Sequence, residues 1–261
     1  MTVEPFLQRV LLTNDDGFDA PGLAALTDVA RQIAHEVWIV APQFDQSGMG
    51  QSFTMNSPVR CVPRGEKQWT VSGTPADCVI LALSHLMADA PPTLVLSGVN
   101  AGGNTGDDCN ISGTLGAAFT ALMLNTPAIG ISLDCESRKN LRWETSRAVL
   151  PGIITQLVQD GWSEDHCLSI NLPDLPPERV GSLTWTRPAQ RTISAFNIER
   201  REDLREKEYF WLHPENNDDF AANDSDIVAL SKGRISVSAL SLDRSANITK
   251  VLFGKKTAND E

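Results

Sequence analysis

Short apolar stretches alternate with helical patterns over the first two-thirds of the chain, and this alternation limits the possible folds more than any other feature. Residues 37–41 (VWIVA) are continuously apolar, as expected for a strand whose sheet is covered by helices on both faces. Residues 20–34 predict a helix, because Pro21 suits the first turn and apolar residues recur every three or four positions. Further strands are predicted at 6–12, 94–97, 128–133 and 168–172, and further helices at 74–87, 113–124 and 143–159. This alternation predicts an α/β fold with a mostly parallel sheet and right-handed crossovers.

The pattern changes in the last third of the chain. Residues 198–207 are strongly charged and are followed by Tyr209-Phe210-Trp211, while residues 235–238 alternate as in a half-exposed strand. A charged run of this kind is more typical of a solvated face than of a functional site. We therefore predict a core at residues 1–175, which carries the site, and a β-rich C-terminal extension or oligomerisation arm at residues 176–261.

Composition restricts the possible partners. The chain has 22 Lys and Arg against 33 Asp and Glu, a formal net charge of −11, so no general basic field attracts nucleic-acid polymers or anionic membranes. Its five cysteines are dispersed without a Cys-x-x-Cys pair, which suits a reducing compartment better than a disulfide framework. No signal sequence or apolar run of membrane-spanning length is recognisable. We expect a cytoplasmic protein.

Two adjacent carboxylates, Asp15 and Asp16, follow the first predicted strand and precede Gly17. Neighbouring carboxylates repel each other, and neither is easily buried unless a cation lies between them. The pair therefore indicates half of a divalent-metal site with oxygen ligands. An ordinary strand-to-turn junction is the alternative, since Asn, Asp and Gly are common turn residues. This segment alone does not decide between the two.

Polar segments follow three of the predicted strands, and ligands of open α/β sheets collect at the carboxyl ends of strands. These segments are residues 14–16, 41–50 and 97–106; the last holds Asn100 and Asn104 among four glycines. Glycine permits close approach of a ligand, although a flexible exposed loop has the same composition. Ser112-Gly113-Thr114 then opens an apolar helix, whose free N–H groups could bind phosphate or simply be capped.

Several motifs of other enzyme classes are missing. There is no GxGxxG after the first strand and no GxxxxGK[ST], so dinucleotide and Walker-type sites have no support. There is also no G-x-S-x-G sequence for a hydrolase serine. The four histidines lack metal-binding spacing, which disfavours a zinc site of histidine and cysteine ligands.

Several ordered motifs resemble the SurE family of metal-dependent 5′/3′-nucleotidases (survival protein E). The matching segments are LLTNDDG (11–17), VAPQFDQSGMGQSFT (40–54), SGTPADCV (72–79), LVLSGVNAGGNTG (94–106), SGTLGAA (112–118) and the later ISVSALSLD (235–243). The resemblance implies a Rossmann-like core and a C-terminal arm exchanged between the subunits of a homodimer or homotetramer. It also implies hydrolysis of nucleoside 5′-monophosphates to nucleoside and phosphate, with 3′-monophosphates left open as further substrates.

The resemblance also assigns site residues. It makes Asp15, Asp16, Ser47 and Asn100 ligands of one divalent cation per subunit, Mg²⁺ or Mn²⁺, because all four side chains offer oxygen. The phosphate would be contacted by the remaining polar residues of the motifs: Asn14, Asn104, Ser112, Gly113 and Thr114.

These assignments lead to a mechanistic hypothesis. The cation polarises a phosphoryl oxygen and activates a water that attacks phosphorus in line, while Asp15 or Asp16 orients that water or accepts its proton. An aspartyl-phosphate route is the mechanistic rival. A non-catalytic nucleotide-binding or regulatory protein that retains the metal site is the alternative function.

Overall fold

The computed structural model describes residues 4–135, 137–217 and 222–245, and within these ranges it contains eleven strands and five α-helices. The strands are β1 Leu7–Thr13, β2 Ala34–Pro42, β3 Cys61–Gly65, β4 Gln68–Val71, β5 Leu94–Ala101, β6 Ala128–Asp134, β7 His166–Pro173, β8 Leu183–Trp185, β9 Ile193–Glu202, β10 Glu208–Asn216 and β11 Ile235–Ser241. The α-helices are α1 Pro21–Ile33, α2 Pro75–Leu81, α3 Gly113–Met123, α4 Trp143–Asp160 and α5 Asp226–Ser231.

Nine strands form one mostly parallel sheet, which confirms the predicted α/β fold. Their order is β3-β4-β2-β1-β5-β6-β7-β11-β8. The central pairs from β4 to β7 are all parallel, whereas β3 pairs with β4, and β11 pairs with β7, in the antiparallel sense. The two remaining strands, β9 and β10, form a separate antiparallel hairpin.

Helices cover both faces of the sheet, as the continuously apolar strands require. On β1, Val10 and Leu12 pack with α1 and α4, whereas Leu11 between them packs with α2 and α3 on the opposite face. All three side chains are fully buried, and burial of one such side chain stabilises the fold by roughly 1.5–3 kcal/mol. The alternating direction of strand side chains therefore anchors one helix layer on each face.

The N-terminus of α2 is fixed by a reciprocal cap. The Thr74 hydroxyl accepts from the Asp77 amide, and the Asp77 carboxylate accepts from the Thr74 amide. Pro75 occupies the first helical position, as predicted. The helix is shorter than the predicted 74–87, because a π-helical stretch at Ala82–Leu86 follows it.

The strand predicted as half-exposed at residues 235–238 is buried, so this expectation was wrong. Ser236 and Ser238 are enclosed, and the Thr186 hydroxyl lies 2.7 and 2.8 Å from their hydroxyl oxygens. Polar side chains that satisfy one another can occupy the interior, so alternation of polar and apolar residues did not mean exposure here.

The C-terminal third divides between the main sheet and the hairpin. Strands β8 and β11 join the main sheet and α5 packs on β11, while β9 and β10 project as the hairpin 193–216. The division of the chain at residue 175 stays a prediction. Residues 218–221 and 246–261 of the predicted extension lie outside the described residues.

Two further findings concern the expectations from composition. All five cysteines are free thiols. Across the described residues, no helix is both long enough and apolar enough to cross a lipid bilayer.

Candidate active site at the carboxyl edge of the sheet

The predicted ligands converge where the strand order reverses. From β1 the chain continues to β2 on one side of the sheet, and it later returns to β5 on the other side. Open α/β sheets bind ligands in the crevice that such a reversal leaves at the carboxyl ends of the strands. Asp15 and Asp16 follow β1 after Asn14, and Asn100 lies near the end of β5.

Asp15 is almost completely buried, with 3% of its surface exposed. Its Oδ1 accepts a 2.6 Å hydrogen bond from the Thr114 hydroxyl. Burial raises the pKa of the Asp15 carboxyl to about 6; the Thr114 bond opposes this rise, and the charge of Asp16 adds to it. The site therefore holds a carboxyl whose negative charge is costly unless a cation approaches.

Asp16 is more accessible and has different partners. Its Oδ2 accepts a 3.1 Å hydrogen bond from the Ala101 amide, so it links the end of β1 to the end of β5. Its Oδ1 lies 3.9 Å from a guanidinium nitrogen of Arg138. Burial raises its pKa, while the Ala101 bond and the charge of Arg138 oppose the rise and Asp45 adds to it.

The segment carrying Ser47 is tied to both neighbouring motifs. The Gln46 amide donates to the Asp15 carbonyl at 2.8 Å, and the Gly50 amide donates to the Ile111 carbonyl at 2.9 Å. Further along the same segment, Asp77 accepts from the amide and the hydroxyl of Thr54. Ser47 itself is exposed and faces the same cavity as Asn100.

The two asparagines on the β5 side differ in their bonding. The Asn100 Nδ2 donates to the Gly102 carbonyl at 2.8 Å, and its Oδ1 is the atom available to a cation. The Asn104 Nδ2 donates to the Ser132 hydroxyl, and Asn171 binds both the amide and the carbonyl of Asn104. Asn104 is thus held firmly, with one Nδ2 hydrogen left for another acceptor.

The α3 N-terminus lies directly against Asp15. The Ser112 hydroxyl caps the helix by accepting from the Leu115 amide, which confirms the capping interpretation for this hydroxyl. A Cβ atom on Gly113 would lie 2.8 Å from the Asp15 Cβ and 2.9 Å from its Oδ2. Only glycine therefore permits this close approach of helix and carboxylate.

A cavity of about 670 Å³ brings together four of the candidate residues. Its walls include Ser47, Asn100, Asn104 and Ser112, and also Ala101, whose amide binds Asp16. Asn14 and Thr114 are instead fully buried behind the carboxylates. The Asn14 Nδ2 donates to the Gly17 carbonyl and so fixes the turn that carries both aspartates. Direct phosphate contacts by Asn14 and Thr114 stay predictions.

Sequence analysis missed Arg138, which lies on the segment between β6 and α4. Arg138, Lys139 and Arg142 make this segment basic, and β6 ends at the same edge of the sheet as β1 and β5. The sequence signal for Arg138 is a basic segment that follows the predicted strand 128–133 at this same edge. Asn171 and Asp77 could not be found in this way, because their partners are distant in sequence.

The chemistry of the donor set fits a small hard cation. Two carboxylates, a hydroxyl and an amide carbonyl all offer oxygen, which Mg²⁺ and Mn²⁺ prefer. Within the described ranges, no three His, Cys, Asp or Glu side chains cluster in a way that could hold a metal. Any cation here would thus rely on neutral oxygen ligands beside the two carboxylates.

The SurE family model (survival protein SurE) matches residues 10–195, which include every predicted ligand. The chain belongs to the SurE family. Its relatives include 5′-nucleotidase SurE 1 of Burkholderia lata, 45% identical with 92% of this chain and 93% of the relative covered. The 5′-nucleotidase SurE of Brucella suis is 40% identical, with 94% of this chain and 97% of the relative covered. The SurE protein from Aquifex aeolicus has a similar crystal structure, with a TM-score of 0.80, 32% identity and coverage of 94% and 97%.

Proposed function

We propose that this protein is a divalent-metal-dependent nucleotidase that hydrolyses nucleoside 5′-monophosphates to nucleoside and phosphate, with 3′-monophosphates as a second substrate class. The observation that carries the proposal is the adjacent pair of buried Asp15 and partly buried Asp16 at the β1–β5 crevice, next to a cavity lined by Ser47, Asn100 and Ser112. Relatives that cover nearly the whole chain are named 5′-nucleotidase SurE, which supports the nucleotidase activity.

Asp15, Asp16, Ser47 and Asn100 would hold one Mg²⁺ or Mn²⁺ per subunit. The raised pKa of Asp15 supports a cation requirement, because the protein buries a carboxyl whose ionised form it does not neutralise by itself. When bound, the cation supplies a Lewis acid and positive charge for the phosphoryl transfer.

The protein's own groups contribute orientation and proton transfer. Asp15 would orient the attacking water or accept its proton. Thr114 fixes the orientation of Asp15, and the Ala101 amide fixes that of Asp16. Asp16 remains the alternative base.

The experiment is a phosphate-release assay on a panel of nucleoside 5′- and 3′-monophosphates with Mn²⁺, Mg²⁺ or a chelator. We expect release only with metal, and we expect Asp16→Asn to abolish it without unfolding the protein. Asp28→Asn removes the same charge from an exposed side chain and is the matched control. Retained turnover in Asp16→Asn would disprove its ligand role.

Two other outcomes would change the proposal. A covalent phosphoryl-aspartate trapped during turnover would replace the water mechanism. No turnover with any metal, together with retained nucleotide affinity, would identify a nucleotide-binding protein instead.

The hairpin supports a homodimer or homotetramer in which this arm is exchanged. Five of its large apolar side chains are more than half exposed within one subunit: Phe196, Ile198, Phe210, Trp211 and Leu212. An exposed apolar patch of this kind is typical of an interaction surface. The strongly negative charge and the free cysteines support a cytoplasmic enzyme without nucleic-acid polymer or membrane partners.

A further inference from the structure

The proposed substrate is a dianion, but the site is dominated by acidic groups. Asp16, next to Asp15 in the chain, binds the amide of Ala101 in the cavity wall, and Asp108 also lines this wall. A phosphate monoester that enters this cavity meets repulsion from each ionised carboxylate. The charge of a single divalent cation balances only the charges of the two aspartates. The phosphate therefore requires additional positive charge.

Arg138 supplies a positive charge at this place. Among the described residues that line the cavity, it is the one with a permanently positive side chain. It lies on the segment between β6 and α4, at the carboxyl edge of the sheet, and its side chain is 59% exposed. It can therefore move toward a ligand without disturbing the core.

The contact of Arg138 with Asp16 is loose. The distance of 3.9 Å between a guanidinium nitrogen of Arg138 and Oδ1 of Asp16 is too long for a hydrogen bond. Ion pairs between exposed groups contribute little to stability. The guanidinium can therefore leave Asp16 for a phosphate at small cost. Its planar fork of N–H donors matches two phosphate oxygens better than it matches one distant carboxylate oxygen.

Several neutral donors around the cavity are already partly engaged. Thr114 donates to Asp15, the Asn100 Nδ2 donates to the Gly102 carbonyl, and the Asn104 Nδ2 donates to Ser132. The donors that remain, such as the second Nδ2 hydrogen of Asn104, are uncharged, so Arg138 is the strongest donor for an incoming phosphate.

We infer that Arg138 is a phosphate-binding residue that exchanges Asp16 for the phosphoryl group when substrate enters. The inference rests on the proposed function in one respect: it takes the cavity at Asn100 and Ser112 as the phosphate site. It assigns to the β6–α4 segment a direct role in substrate binding, which the metal-ligand motifs do not include.

The test measures binding of orthophosphate and of Mg²⁺ by titration calorimetry, in wild type and in Arg138→Ala. We expect the variant to bind orthophosphate in the presence of Mg²⁺ roughly 10- to 100-fold more weakly, the range for one charge-assisted hydrogen-bonding group. Arg138→Lys keeps the charge but not the planar fork of N–H donors, so it should lose less orthophosphate affinity than Arg138→Ala. Arg147→Ala removes a partly exposed arginine that pairs with Asp28, and it should bind orthophosphate as wild type does.

The Mg²⁺ titration separates substrate binding from a merely structural role. If Arg138 only oriented Asp16, its loss would weaken Mg²⁺ binding in the absence of phosphate. We expect Mg²⁺ affinity to stay unchanged or to increase, because a competing positive charge near Asp16 is removed. A fall in Mg²⁺ affinity as large as the fall in phosphate affinity overturns the inference.

The phosphate-release assay then distinguishes failure of the inference from failure of the proposed function. An active wild type whose orthophosphate affinity is the same in Arg138→Ala refutes the inference and leaves the function intact. An inactive wild type that loses orthophosphate affinity in Arg138→Ala refutes the function and supports the inference. A wild type that binds no orthophosphate with Mg²⁺ refutes the inference as well.

Discussion

The burial of Asp15 is expected to reduce the stability of the metal-free protein at neutral pH, and Asp15→Asn should reverse this effect. The carboxyl has a pKa of about 6 in the fold against 3.8 as its ordinary value, and burial is the main cause. Between these two values the folded state binds more protons than the unfolded state, so stability falls as pH rises through this window. Below pH 3.8 this contribution disappears.

The magnitude follows from the difference between the two pKa values. A rise of the Asp15 pKa from 3.8 to about 6 lowers the unfolding free energy at pH 8 by about 3 kcal/mol. An asparagine at this position carries no charge, and its Oδ1 can still accept from the Thr114 hydroxyl. The unfolding free energy of metal-free Asp15→Asn should therefore exceed that of metal-free wild type by up to about 3 kcal/mol above pH 7. This difference should shrink toward pH 4.

The assay is urea unfolding of both proteins with a chelator, from pH 4 to pH 8, with Asp28→Asn as control for the changed net charge. Addition of Mg²⁺ or Mn²⁺ should remove most of the difference: at a hundred times its Kd the cation stabilises wild type by about 2.7 kcal/mol, and the variant by less. A stability difference between Asp15→Asn and wild type that stays constant across this pH range would refute the burial argument.

Two further substitutions and one control test the packing of the site. Gly113→Ala should displace Asp15 and weaken both cation binding and thermal stability. In the control Gly152→Ala, in α4, the added Cβ meets no atom within 4 Å and should raise stability by about 0.5–1 kcal/mol. Equal melting temperatures of the two variants would contradict this expectation. Asp77→Ala removes the two bonds to Thr54 and one to the α2 N-terminus, so we expect a loss of about 2–3 kcal/mol and faster proteolysis within residues 47–54. Unchanged cleavage there would show that Asp77 does not anchor the segment.

The sequence was informative about elements whose residues repeat with a local period. The apolar residues of β1 and β2 and the capping residues of α2 predicted the strands, the helix start and the parallel sheet, because period and capping depend on neighbours within a few positions. The same local information placed Asp15, Asp16 and Asn100 at strand ends, and parallel strands bring their carboxyl ends to one edge.

Only the tertiary structure decided which groups meet and which are buried. The alternation in β11 predicted an exposed face, but Thr186, fifty residues away, satisfies Ser236 inside the fold. Likewise, burial inside the fold raises the pKa of Asp15, and a hydrogen bond from Thr114, about a hundred residues along the chain, opposes this rise. Arg138 reaches Asp16 because β6 is placed two strands from β1. Such effects depend on pairing across long sequence separations, which no local pattern encodes.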